Sequence, residues 1–267
     1  MKKQFKLGVI GFNLNVQTII RGAVLSDFLS ERKIIVSGAS EKDLDALDEL
    51  GIQAVDDDKF VFENSEYQLI AINVDQLTAL TKKLGTVNVA KIISLSETLK
   101  KSAIKDALGV SSVKVARAIV NLPCAIGSGS VGLDMSDYNS SFDDLEFLSN
   151  LFNCIGTVLS VDESKFEAIV GLSVNTPAYA FMFIDSLIDA GVKLGLKKSE
   201  AKLLAVQVVL GSAEMVERGD NSLPELTMLA CNNGGTALEG IKVLEKNKFR
   251  EIIEEAVESG IRRPKAD

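Results

Sequence analysis

No histidine occurs in the 267 residues of this chain. That absence removes a Ser-His-Asp triad, the usual zinc sites and any dehydrogenase built on an imidazole acid–base. Cysteine is scarce: Cys124, Cys154 and Cys231 are scattered and form no CxxC pair, so they read as reduced, mostly buried thiols. Positive charge is also scarce, with 29 Lys+Arg against 37 Asp+Glu and a net charge of −8. The longest basic cluster is Arg262-Arg263-Pro264-Lys265, so nucleic acid is not an expected partner. No uninterrupted apolar run reaches transmembrane length. The first residues lead straight into a strand with no signal-peptide core. A cytoplasmic protein without a membrane partner is expected.

What is present is ordinary globular material, 46% hydrophobic and 25% charged, enough for one large domain or two moderate ones. Apolar strand patterns fall at residues 5–10, 33–36, 67–73, 90–94 and 114–119, with helical periodicity at 14–28 and 42–50. Strands alternating with helices predict βαβ units on a parallel sheet, a Rossmann-like α/β domain over residues 1–160. From 161 to 267 the pattern is helical only, at 166–172, 177–194, 199–218, 236–245 and 248–261. The helix at 178–194 is apolar on most faces, with Asp185, Asp189 and Lys193 as one thin polar stripe. Such a helix needs cover on several sides, which predicts an all-α dimerisation domain.

Two kinds of site suggest themselves. Gly11-Phe12-Asn13-Leu14-Asn15-Val16 stands where a Rossmann fold holds pyrophosphate, but only the first glycine of G-x-G-x-x-G is present. Asn13 is a residue type that tolerates the positive φ of the second glycine, although its side chain crowds the phosphates. The end of the second strand reads Ser37-Gly38-Ala39-Ser40 with Lys42 close by and no acid at the strand end. That favours NADP, with NAD possible; the bland reading is that the serines cap the next helix. In the helical half, Asn232-Asn233-Gly234-Gly235-Thr236-Ala237 precedes an amphipathic helix, a ready seat for a small carboxylate. Thr176-Pro177-Ala178-Tyr179 opens a second helix in the same way, Tyr179 reading as a packing residue rather than an acid.

With both halves in view, the chain resembles the pyrroline-5-carboxylate reductases over essentially its whole length. The match is strongest in Phe183-Ile184-Asp185-Ser186-Leu187-Ile188-Asp189-Ala190-Gly191-Val192-Lys193-Leu194-Gly195-Leu196, in Val209-Leu210-Gly211-Ser212-Ala213, in Gly234-Gly235-Thr236 and in Glu255-Ala256-Val257-Glu258. The resemblance implies reduction of the cyclic imine 1-pyrroline-5-carboxylate to L-proline by NADPH or NADH. A protonated imine is already an electrophile, so positioning matters more than a strong base. It implies dinucleotide contacts from Gly11, Phe12, Asn13, Leu14, Asn15, Ser37, Ala71, Asn73 and Asn121. Asn175, Thr176, Asn232, Gly234, Gly235 and Thr236 would bind the imino acid. Asp220 near the ring nitrogen joins Thr236 as a catalytic candidate. A homodimer or a ring of dimers is expected.

The departures fall on ligand-facing loops. The family's Ala-Val-Lys-Pro is Ala71-Ile72-Asn73-Val74, its Ser-Gly-Ser-Gly-Pro is Ser173-Val174-Asn175-Thr176-Pro177, and the second threonine of Gly-Gly-Thr-Thr is Ala237. Those losses leave two alternatives open: a reductase of another imine, or a protein that kept the fold and serves as a non-catalytic ligand sensor or partner-binding subunit.

Overall fold

A computed structural model describes residues 3–85, 91–110, 112–231 and 235–262. The chain divides into two compact units, Met1–Val174 and Asn175–Asp267.

The first unit is a three-layer α/β/α assembly. Its strands are β1 (Phe5–Ile10), β2 (Ile34–Ser37), β3 (Gln53–Val55), β4 (Ser65–Ile70), β5 (Lys91–Ser94), β6 (Lys114–Val120), β7 (Gly129–Asp134) and β8 (Gly156–Ser160). They lie in the order β3-β2-β1-β4-β5-β6-β7-β8. Pairing is parallel throughout except between β6 and β7. The helices of this unit are α1 (Leu14–Leu25), α2 (Glu41–Glu49), α3 (Asp58–Asn64), α4 (Val74–Leu84), α5 (Lys101–Leu108), α6 (Phe142–Asn153) and the short α7 (Phe166–Ile169). Strand residues alternate between two cores, as the period of two requires. Leu7, Val9, Val36 and Leu69 pack with Ile19 and Ile20 of α1 and with Leu148, Leu151 and Phe152 of α6. Phe5, Ile10, Ile35, Ile70 and Val115 pack with α3, α4 and α5 on the other face.

The expected elements are present with shifted ends. Helix 14–28 stops at Leu25, and Asp27 beyond it has φ 58°. The strand expected at 67–73 runs Ser65–Ile70, because the Asn73 side chain caps α4. Periodicity missed β3, β7, β8, α3 and one helix of the second unit. β3 has three residues and β8 is a half-exposed edge strand, so neither shows a buried alternation. The sheet is thus not wholly parallel: β7 returns antiparallel after one short turn at Leu122–Ile126.

The expected boundary at 160 coincides with the end of β8, whereas the compact division follows Val174. The intervening stretch is tied down by charge. Glu163 accepts from Arg117 at 2.8 Å and from the Lys101 N–H at 3.1 Å, and donates its own N–H to Asp134 at 2.8 Å. Phe166 is buried, with the Arg117 guanidinium 4.7 Å from its ring. A π turn, Val170–Val174, ends this unit.

The second unit is helical: α8 (Thr176–Lys193), α9 (Lys198–Arg218), α10 (Leu223–Cys231), α11 (Thr236–Lys246) and α12 (Phe249–Ile261). α10 is short, nine residues, and buries none of them. Its start was nevertheless marked: the Ser222 hydroxyl and N–H both donate to the Glu225 carboxylate, which is half of a capping box.

Candidate functional site

The order of strands reverses between β1 and β4. Their carboxyl ends are therefore the topological switch point, where open α/β sheets bind ligands. Three turns meet there. Gly11 follows β1 with φ +82°, and a Cβ on it would lie 2.7 Å from Ile72 Cγ2 and 3.0 Å from the Ala71 carbonyl oxygen. Gly38 follows β2 with φ +76°, and its Cβ would lie 3.2 Å from Gly11 Cα. Only glycine at both places lets the three backbones approach this closely.

Asn13 does not take the positive φ that its residue type tolerates. Its φ is −156°, and it caps α1 by accepting from Val16 N at 3.1 Å. Gln17 N–H is served by the Asn13 carbonyl. The N–H groups of Leu14 and Asn15 then remain without intrahelical partners, and no acidic residue stands in the first turn. A helix start with free donors and no negative charge suits a pyrophosphate. Phe12 packs partly against the core, while Leu14 and Val74 are exposed at the starts of α1 and α4. Ala71 and Asn73 lie on the opposite turn, Asn73 and Gln76 forming a reciprocal cap.

Two of the expected contacts turn inward. Ser37 is fully buried and donates its hydroxyl to the Val9 carbonyl at 3.3 Å, so this hydroxyl is not offered to a 2′-phosphate. Asn121 is likewise buried among Cys124, Ser130 and Ser173. Ser40 is exposed and donates to Asp43 at 2.6 Å in a helix cap, with Lys42 exposed beside it. The sequence gives no local signal for Ser130, an isolated serine, and marks Ser173 only as the first residue of the altered Ser-Gly-Ser-Gly-Pro stretch.

In the helical unit, the start of α8 lies on the end of α12. Asn175 Nδ2 donates to the Gly260 carbonyl at 3.2 Å, and the Tyr179 hydroxyl donates to the Ala256 carbonyl at 3.1 Å. Both pairs are spaced four apart, so one face of each helix is used. A Cβ on Gly260 would lie 2.8 Å from Asn175 Nδ2, which makes this glycine the point of close approach. Tyr179 is thereby a packing residue. Thr176 begins α8, with Pro177 at its second position. Gly235 has φ +79° and leads into Thr236 and Ala237 at the start of α11, where no side chain caps the helix. Those first-turn N–H groups are donors for an anion. Asn232, Asn233 and Gly234 lie outside the described residues. Asp220 is exposed between α9 and α10.

This unit buries little of its own apolar surface. Its core cluster is Ile188, Ala201 and Ala205, while Met182, Leu203, Val208 and Leu210 are more than half exposed. The helical stretch Glu163–Lys193 is also long and apolar enough to cross a membrane, with a mean hydropathy of 1.2. Length and composition alone do not distinguish that from a face covered by another subunit. The double substitution Met182→Glu/Leu203→Glu is expected to reduce the solution mass to that of the 28.7 kDa monomer by light scattering. Each carboxylate would be buried unpaired at a cost of several kcal/mol, about 2 or more per site. An unchanged oligomer would show that this face is not the contact.

Known proteins bear on these geometries. The family described as pyrroline-5-carboxylate reductase dimerisation matches residues 163–266. The pyrroline-5-carboxylate reductase of Escherichia coli strain K12 is 30% identical over 257 residues, covering 94% of each chain. A solved pyrroline-5-carboxylate reductase from Coxiella burnetii superposes with TM-score 0.84 at 25% identity, covering 97% of both chains. That of Plasmodium falciparum, solved with NADP bound, has TM-score 0.82 at 24% identity over 98% of this chain and 97% of its own.

Proposed function

The chain belongs to the pyrroline-5-carboxylate reductase family, and from that membership we propose that it reduces 1-pyrroline-5-carboxylate to L-proline with NADPH, NADH being accepted in the same crevice. It acts as a homo-oligomer, a dimer or a ring of dimers joined through the bare helical faces, and works in the cytoplasm on a cyclic imino acid. The observation that carries this reading is the crevice at the carboxyl ends of β1, β2 and β4, where paired glycines and the open start of α1 meet a pyrophosphate's needs.

When bound, the reduced nicotinamide would supply the hydride to the carbon of the imine, whose ring nitrogen already carries its proton. The chain's residues do the rest by orientation. Gly11 would keep the backbone low beneath the phosphates, and the Leu14 and Asn15 N–H groups would serve as donors to them. Ala71 and Asn73 form the facing wall. Lys42, exposed in the first turn of α2 just beyond β2, suits a 2′-phosphate, with no acid directly at the strand end. Gly235 and Thr236 seat the carboxylate at the start of α11, with Asn232 and Gly234 preceding them in the sequence. Asn175 and Thr176 complete the seat. Asp220 orients the ring nitrogen. No imidazole is needed, because the protonated imine is itself the electrophile.

Steady consumption of NADPH on adding 1-pyrroline-5-carboxylate, with L-proline as product, is the expected result. Absence of turnover with either NADPH or NADH would overturn the reading, and absence of NADPH binding as well would favour the sensor alternative. Ala237→Thr restores a hydroxyl one residue beyond Thr236. It is expected to raise kcat by up to about tenfold, the worth of one good hydrogen bond, without tightening NADPH binding.

A further inference from the structure

Asn121 stands at the carboxyl end of β6, yet its amide is fully engaged inside the first unit. Its Oδ1 accepts from Ser130 N at 3.0 Å and from the Cys124 thiol at 3.4 Å. Its Nδ2 donates to Ser130 Oγ at 3.0 Å and to the Ser173 carbonyl at 3.3 Å. Ser130 Oγ and Ser173 Oγ are themselves 2.7 Å apart. Both donors and the acceptor of the amide are thus used, and the residue is 9% exposed. Nothing in this arrangement is left to hold a cofactor.

The clamp closes on the π turn Val170–Val174. Such turns are rare, interrupt the regular helix ladder and gather at functional places. Ser173 is held there from outside the helix by β6 and β7, and the chain passes directly from it into Asn175 and Thr176. We propose that Asn121 is a positioning residue for the imino acid: acting through Ser130 and Ser173, it fixes the turn that delivers Asn175 and Thr176 to the carboxylate. The proposal rests on the reading of the chain as an imine reductase.

The test compares Asn121→Asp and Ser130→Ala with the wild type, as full chains. KM and kcat are measured for 1-pyrroline-5-carboxylate, the NADPH Kd by fluorescence titration, and the melting temperature by calorimetry. Asn121→Asp keeps the size but removes both Nδ2 donations. It is expected to raise KM on the order of tenfold while the NADPH Kd stays within about twofold. Ser130→Ala is expected to move KM in the same direction by less. The double variant should fall short of the product of the two single effects, since both act on one network. If Asn121→Asp does not fold, Ser130→Ala carries the test alone. A Kd that rises with KM would make Asn121 a cofactor contact and overturn the proposal. A lower melting temperature with KM unchanged would make the clamp purely structural and overturn it too. A wild type that binds NADPH but never turns over the imine would overturn the reductase reading, and this proposal with it.

Discussion

Gly11→Val is expected to weaken NADPH binding about 100-fold or more and to destabilise the first unit. The residue sits at φ +82°, a region where a β-branched side chain is a severe outlier. That strain alone costs about 1–3 kcal/mol. The added Cβ would also meet Ile72 Cγ2 at 2.7 Å and the Ala71 carbonyl oxygen at 3.0 Å. One of those contacts is backbone, so it cannot be relieved by a rotamer change. The β1–α1 and β4–α4 turns would have to separate, and the Leu14 and Asn15 donors would leave their places. Losing two hydrogen bonds to a charged phosphate, at about 1.5 kcal/mol or more each, amounts to a hundredfold loss in affinity. Fluorescence titration with NADPH checks the first effect and calorimetry the second. Gly109→Ala is the control, because Gly109 has φ +66° with open space around it. It should lower the melting temperature by the conformational strain alone and leave the NADPH Kd as it was. An unchanged Kd in Gly11→Val would place the dinucleotide elsewhere.

The second large effect is expected at Asp134. Its carboxylate is fully buried and accepts from Lys101 Nζ at 2.9 Å, from Ser136 N at 2.9 Å and Ser136 Oγ at 2.8 Å, and from Glu163 N at 2.8 Å. Asp134→Ala leaves Lys101, nearly buried, without its closest carboxylate, while Ser136 and Glu163 lose the acceptor for their N–H groups. Breaking a buried pair from one side costs about 3–5 kcal/mol, which corresponds to roughly 6–20 °C in melting temperature for a unit of this size. A fall of less than a couple of degrees would mean that water replaces the carboxylate without penalty. The same group shapes the response to acid. Burial pushes the Asp134 carboxyl up, but the bonds from Ser136, Lys101 and Glu163 outweigh it and hold the group below its ordinary value. Asp144, bonded by Lys91 and Tyr67, is held below in the same way. A carboxyl depressed in the folded state stabilises the protein above its unfolded pKa, about 3.9. That stability is lost as pH falls through this value toward the lower folded one. The melting temperature should therefore drop steeply below about pH 4, and Asp134→Asn should flatten that limb.

The two halves were legible to different depths. The strands at 5–10 and 114–119 carry continuous apolar runs and were placed to within about two residues. The helices at 199–218 and 248–261 were bounded by their own turns. β8 and α10 escaped because one lies half exposed at a sheet edge and the other buries nothing. Of the site, Gly11 was readable because a glycine directly after a buried strand has a conformational reason to be there. Asn13 was readable as a polar residue at a helix start, but its cap geometry was not, since φ depends on whether its side chain turns back to Val16. Ser37 looked like a phosphate ligand from its position. Only packing showed its hydroxyl spent on Val9, a neighbour 28 residues away in the chain.

The alternation of strands and helices, the purely helical second half, the lack of imidazole chemistry and the bare face of the helix at 178–194 all follow from local composition and period. These are properties of short stretches, and each carries its own physical reason. The antiparallel return of β7, the meeting of Gly11 with Gly38 and Ala71, and the inward turn of Asn121 follow from tertiary packing. Each depends on which partner a group finds from a distant stretch of chain. A hydrogen bond between Asn121 and Ser173 spans 52 residues, and no local pattern encodes it.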